Sequence, residues 1–269
     1  MSENGSRRTI QRPAALPGVE VHRGHHAGGG SCGSFYTQYA FGTIDGPLRY
    51  AYRGQSRERD GQYVVFIQGG EFRPGYILGP LSFQHWYVAP ESMREAAEDR
   101  GQLRVPRFCQ EVTEDPRIYQ LVSRATAALA GAGDALEQQE VFTGLVGVIL
   151  GAYTDPRQVT AADTVAHRAV RRMRDLIHDR YSEELTLDML SSYAGLNKFY
   201  ALRAFKRAVG VPPHAYQRHL RIDRARELLR TGRPSTEIAY ELGFCDQSHF
   251  IRCFRQVALM TPRQYQVGS

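Results

Sequence analysis

Ile238-Ala239-Tyr240-Glu241-Leu242-Gly243-Phe244-Cys245-Asp246-Gln247-Ser248-His249-Phe250-Ile251-Arg252 is the stretch on which the reading of this chain turns. Ile238, Ala239 and Leu242 recur at helical spacing, Gly243 interrupts them, and Asp246 is a cap residue that opens a second periodic run. Two short helices joined by a turn containing glycine make a helix-turn-helix. A shift of 49 positions finds the unit again: Arg203, Phe205, Pro213, Tyr216 and Gln217 fall on Arg252, Phe254, Pro262, Tyr265 and Gln266. The same shift lays Thr186 on Ser235 and Asn197 on Asp246, cap residues at matching points. One helical hairpin is common in ordinary cores. Two in register within a basic segment are not explained by packing alone.

Working outward, the charge is unevenly spread. The 269 residues carry a formal +6, but from Asp163 onward 18 Lys and Arg face 11 Asp and Glu, while the remainder holds 16 against 17. A basic C-terminal segment beside a near-neutral N-terminal one points to a polyanion partner for the former alone. Cys32, Cys109, Cys245 and Cys253 lack the paired spacing of zinc or redox sites, which fits reduced thiols in a cytosol. No signal peptide or apolar run of membrane-spanning length is present, so a soluble cytoplasmic protein without cofactor is expected.

The runs Ala194 to Tyr216 and Ile238 to Tyr265, with Gly243-Phe244, Asp246-Gln247-Ser248-His249-Phe250, Phe254 and Thr261-Pro262, resemble the arabinose-regulator (AraC/XylS) family of bacterial transcription factors. The resemblance implies two helix-turn-helix motifs joined by one long helix, here from Pro213 to Leu229. It also implies a double-stranded DNA operator, a homodimer, a small-molecule effector and a contact with RNA polymerase. Two positions depart from the family pattern: Leu259 stands where glycine is usual, and Ala201-Leu202 where leucine precedes a polar residue.

The expected fold class is α+β: a cupin-like β-barrel with a helical hairpin, then an all-α domain with two helix-turn-helix motifs. Residues 1–18 read as a flexible N-terminus, 19–153 as a sensing and dimerisation domain, 154–162 as a linker and 163–269 as the DNA-binding domain. From Phe35 to Val88, short apolar and aromatic runs broken by glycine and proline mark strands and tight turns. The order Tyr39-Ala40-Phe41-Gly42, Gly46, Asp60-Gly61, Gly70-Glu71 and Trp86-Tyr87 resembles the family's cupin-like sensor. Where relatives carry histidines, this chain has Ser34, Tyr36, Phe72 and Arg73. That absence argues against a catalytic metal and leaves a binding pocket. Tyr36, Tyr39, Tyr50, Tyr52, Phe66, Gln68 and Trp86 are its candidate lining, although aromatic residues serve an ordinary core equally well. Helices starting at Pro90, Asp115-Pro116 and Asp134 follow. In the family the last two form the dimer contact.

The recognition helices are expected over Asn197 to Val209 and Asp246 to Val257. On the first, Arg203 is the candidate for a bidentate guanine contact, with Asn197, Lys198, Phe199, Tyr200 and Leu202 near it and Lys206 and Arg207 placed for phosphates. On the second the candidates are Gln247, Ser248, His249, Ile251, Arg252 and Arg255. Two other readings stay open: a cupin-type metalloenzyme with a DNA-tethering tail, and a regulator whose N-terminal domain only dimerises.

Overall fold

The computed structural model describes residues 7–35, 37–52, 55–99, 106–132, 134–154, 165–258 and 260–267. The alternating segments form β1 (Arg7–Gln11), β2 (Val19–His26), β3 (Gly30–Phe35), β4 (Tyr39–Asp45), β5 (Leu48–Tyr52), β6 (Gln55–Arg59), β7 (Gln62–Ile67), β8 (Phe72–Ile77), β9 (Leu81–Val88) and β10 (Val112–Thr113). They pair antiparallel into two sheets, ordered β1-β2-β9-β4-β7-β10 and β3-β8-β5-β6. No ladder joins the sheets among the described residues. The expected barrel is therefore not closed, and the domain is an open arrangement of two facing sheets.

Side chains alternate across a strand, so each strand of the larger sheet serves two environments. On β9, Trp86 and Val88 join the core beneath the helices, whereas Leu81, Phe83, His85 and Tyr87 line a space facing the smaller sheet. The helical side is covered by α1 (Pro90–Glu98), α2 (Pro116–Gly131) and α3 (Ala135–Tyr153). Asp115 and Asp134 cap the last two, accepting from the backbone N–H of Arg117 and Glu137. Trp86 donates from Nε1 to Thr126 Oγ1 at 2.8 Å, which pins α2 to the sheet.

The C-terminal half holds α4 (Val165–Asp179), α5 (Leu187–Ala194), α6 (Lys198–Val209), α7 (Pro213–Arg230), α8 (Ser235–Glu241), α9 (Gln247–Ala258) and α10 (Pro262–Val267). The long helix α7 is the spine of two cores. Its Ala215, Tyr216 and Leu220 pack with α4, α5 and α6; its Ile222, Ala225 and Leu229 pack with α8, α9 and α10. Each fully buried Phe or Leu there contributes about 1.5–3 kcal/mol.

Several expectations shift. Residues 7–11, read as unpatterned, form β1, and Ile10 inserts into the core of the second hairpin. Ser235 is the first residue of α8 and not its cap; Pro234 precedes it, and Ser235 Oγ accepts from Gln247 Nε2 at 2.8 Å. Arg174 on α4 is half-buried and donates from Nε to the Tyr216 hydroxyl at 3.2 Å. Tyr36, Leu259 and linker positions 155–162 lie outside the described residues.

Candidate nucleic-acid interface and internal cavity

The two hairpins are built alike, from the cap residue inward. Asn197 accepts from the Tyr200 backbone N–H at 2.9 Å, and Asp246 accepts from that of His249 at 2.6 Å. These bonds fix where α6 and α9 start, which is the end a recognition helix presents to base edges. Behind each helix a phenylalanine meets a tyrosine edge-on: Phe205 and Tyr216 at 5.5 Å, Phe254 and Tyr265 at 5.6 Å. In front, Arg203, Lys206 and Arg207 on α6 and Ser248, Arg252 and Arg255 on α9 are exposed. None of these five cations forms an ion pair among the described residues. Unpaired, hydrated charge on two helix faces is what a phosphate backbone exchanges for its counterions.

The remaining candidates differ in freedom. Phe199 is 76% exposed and Tyr200 is partly so, and both stand at the start of α6. Lys198 is exposed but meets Asp188 at 2.7 Å. Leu202 is half-buried. Gln247 is tied to Ser235, His249 packs edge-on against Phe244 at 5.5 Å, and Ile251 lies against the second core.

Arg221 was not picked out from the sequence and Gln217 only as a member of the repeat, yet they set one hairpin against the other. Arg221 donates to the backbone carbonyls of Tyr181, Glu183 and Gly243 at 2.6, 2.9 and 2.6 Å. Gln217 donates to those of Tyr181 and Glu183 at 3.0 and 2.7 Å. The turn of the second hairpin is thereby clamped onto the segment that precedes the first. The one available signal is the repeat itself: Gln266, the partner of Gln217, likewise donates to the carbonyl of Arg233, just ahead of α8.

The N-terminal half contains a cavity of about 100 Å³ between its two sheets. Of the candidate lining residues, Tyr50 borders it. Tyr39, Phe66 and Trp86 belong instead to the core under α2 and α3. There the Tyr39 hydroxyl donates to the Pro106 carbonyl at 2.8 Å, and Phe66 stacks on Tyr153 at 4.6 Å. Gln68 ties the same segment, donating to the Pro106 carbonyl and accepting from the Phe108 N–H. Tyr52 is half-buried beneath the Arg73 guanidinium at 4.9 Å. The cavity wall includes the basic residues Arg8, His26, Arg73 and His85, with apolar Ile44, Val65, Ile77 and Leu81 between them.

The two halves meet at a buried ionic cluster. Glu20 on β2 accepts from Arg12 at 2.7 Å, from Arg230 on α7 at 2.8 Å, from the Tyr265 hydroxyl at 2.8 Å and from His22 at 2.9 Å. Burial would raise its pKa; the hydrogen bond from His22 and the charges of Arg230 and Arg12 overcome this and hold it well below the usual carboxylate range. His22 is pushed down to about 3 by burial and by Arg8, so it is a neutral ring that donates from Nε2 to Glu20 and accepts at Nδ1 from Arg8. Arg8 also donates to the Ala258 carbonyl at 2.7 Å, at the C-terminal end of α9. Nearby, Asp223 on α7 accepts from the backbone N–H and hydroxyl of Thr37.

A helix-turn-helix domain model matches residues 190–267. The chain is 29% identical over 222 residues to the uncharacterized HTH-type transcriptional regulator YbfI of Bacillus subtilis (strain 168), covering 80% of this chain and 79% of that one. It is 34% identical over 93 residues to the HTH-type transcriptional activator RhaS of Escherichia coli O139:H28, a match spanning 34% of each. Among solved structures, an apo variant of ToxT from Vibrio cholerae strain SCE256 aligns with a TM-score of 0.59 at 14% identity, covering 93% of this chain and 97% of that one. The unsaturated fatty acid bound form of ToxT aligns with a TM-score of 0.55. At these identities the ToxT likeness speaks for the fold. No helix among the described residues is long and apolar enough to cross a membrane.

Proposed function

We propose that the chain is a DNA-binding transcriptional regulator of the arabinose-regulator (AraC/XylS) family, a ligand-responsive activator that reads two successive major grooves with α6 and α9. The observation that carries the reading is the pair of capped helices, each presenting exposed cations without carboxylate partners. Arg203 and Arg252 read bases; Lys206, Arg207 and Arg255 hold phosphates. The effector sits between the two sheets; ToxT, which this chain resembles in fold, has been solved with an unsaturated fatty acid bound. Filling that cavity shifts how β1 and the Glu20 cluster hold the C-terminal half, which is a change in population between two arrangements. Leu136 and Val148, exposed on α3, mark a face suited to a homodimer. RNA polymerase is the further partner of an activator, and the site of action is the cytoplasm.

Selection of genomic fragments by the purified full chain, followed by footprinting, tests the DNA reading. Two protected major-groove segments about one helical turn apart are expected. Uniform binding to all fragments across a salt series would overturn it, because phosphate contacts alone carry no sequence information.

A further inference from the structure

The cavity between the sheets gathers basic side chains on a largely apolar wall. None of the described residues lining it carries a carboxylate, while two arginines and two histidines do line it. The Arg73 side chain is 8% exposed. Its two terminal nitrogens donate to neutral acceptors, the carbonyls of Phe66 at 2.9 Å and Glu111 at 3.4 Å. Its Nε is buried without an acceptor. Its nearest carboxylate, that of Glu71, stands 3.8 Å away and is partly exposed, and Glu111 gives one oxygen to Arg57 and Tyr50 while the other is buried without a partner and makes no ion pair with Arg73. A guanidinium keeps its proton, so a buried one calls for an anion.

A second, separate group converges on the same space. His85 Nε2 is buried and has no partner, while its Nδ1 lies 3.4 Å from the Tyr87 hydroxyl. With that hydroxyl donating to Nδ1, the ring presents an unsatisfied Nε2–H. Gly42 on β4 keeps room for the ring, since a Cβ there would lie 2.5 Å from His85 Cδ2. Burial, with Arg8 nearby, lowers His85 to about 3, so the ring donates as a neutral group at ordinary pH.

We propose that this cavity binds a small apolar monocarboxylate, its carboxylate held by Arg73 and the Nε2–H of His85 and its hydrocarbon body against Ile44, Val65, Ile77 and Leu81. The proposal deepens the effector reading above and rests on it. A sugar would bring many hydroxyls to a wall with few polar partners. A phosphate would bring a second negative charge, and Arg8 is already engaged with Ala258 and His22.

The test uses the full chain and matched probes: butanoate against butanamide, octanoate against octanamide, and inorganic phosphate. Titration calorimetry and thermal shift read binding. In at least one pair the acid binds roughly tenfold or more tighter than its amide, in line with the strength of charge-assisted bonds. Arg73→Gln then reduces that preference to about twofold or less. If Arg73→Gln does not fold, the comparison of acid with amide on the unaltered protein still decides. Amides binding as well as acids, or phosphate binding tighter than either, overturns the carboxylate while leaving an effector cavity in place. Failure of every probe at millimolar concentration overturns both.

Discussion

Arg203 and Arg252 occupy the same place in two copies of one unit, and both stand exposed without a carboxylate in reach. On a selected operator, Arg203→Ala or Arg252→Ala should weaken binding by about 1–3 kcal/mol and relax a single base position. Lys206→Ala should instead weaken all sequences alike and lower the salt slope by about one. Fluorescence anisotropy across a salt series separates the two patterns, and an unchanged affinity for Arg203→Ala would remove α6 from the contact. The arginines were legible because a repeat plus helical spacing fixes which positions face out. The cavity lining was less so. Alternation shows that Phe66 and Ile67 oppose one another, but not which side receives the helices and which the second sheet; that is decided by distant segments. A pH prediction also belongs to single residues. Burial first, and neighbouring arginine charge next, depress His22, His85 and His219 to about 3. Their unfolded values lie near 6.5, so the unfolded chain binds more protons between those limits. Stability is fully present above about pH 6.5 and falls as pH drops toward 3, by at most about 1.4 kcal/mol per pH unit for each ring. Melting temperatures measured from pH 8 to pH 5 should therefore hold level and then decline; a flat profile would place these rings in solvent.

Among the elements, the helices announced themselves through caps and period, since Asp115, Asp134, Thr186, Asn197 and Asp246 all bond the backbone they precede. The segment from Phe35 to Val88 was legible as strands, whereas β2 and β3 ahead of it were not, and neither was the closure: two sheets and a barrel share the same alternation and differ in long-range pairing. β1 escaped altogether. Its five residues Arg-Arg-Thr-Ile-Gln hold one apolar side chain, and its stability comes from pairing with β2 and from inserting Ile10 beneath α9. Gly243 shows how much one turn can carry. Its φ is +76°, and a Cβ would fall 1.9 Å from the Ser182 carbonyl oxygen. Gly243→Ala adds a left-handed cost of about 1–2 kcal/mol to an overpacking cost of about 1–3 kcal/mol. Urea unfolding should report a loss within that combined range. Gly195→Ala shares the left-handed φ, but a Cβ there meets nothing, so it should lose the first contribution alone. Equal losses for the two variants would mean that Ser182 yields freely.

At the scale of the molecule, the repeat and its exception explain how the halves are joined. Tyr216 and Tyr265 hold equivalent places. Tyr216 is satisfied within its own domain, by Arg174 at 3.2 Å and His178 at 2.8 Å. Tyr265 donates across the junction to Glu20. One carboxylate from the N-terminal half thus gathers Arg12, Arg230, His22 and Tyr265, and His22 passes the link to Arg8, which borders the cavity and holds the end of α9. Glu20→Gln removes the only negative charge in that cluster among the described residues while keeping its shape. Breaking a fully buried pair costs about 3–5 kcal/mol. The Arg12 and Arg230 side chains are 27% and 28% exposed and can partly rehydrate, so a loss of about 2–3 kcal/mol is expected. Because the cluster spans the junction, the loss should appear in calorimetry as one transition splitting into two. Tyr265→Phe, which removes the bond to Glu20 and the one accepted from Arg230, each worth about 1 kcal/mol, and leaves the charges paired, should keep a single transition. A Glu20→Gln protein that still melts in one step at the original temperature would show that the halves are joined elsewhere, with Asp223 and Thr37 the next contact to break.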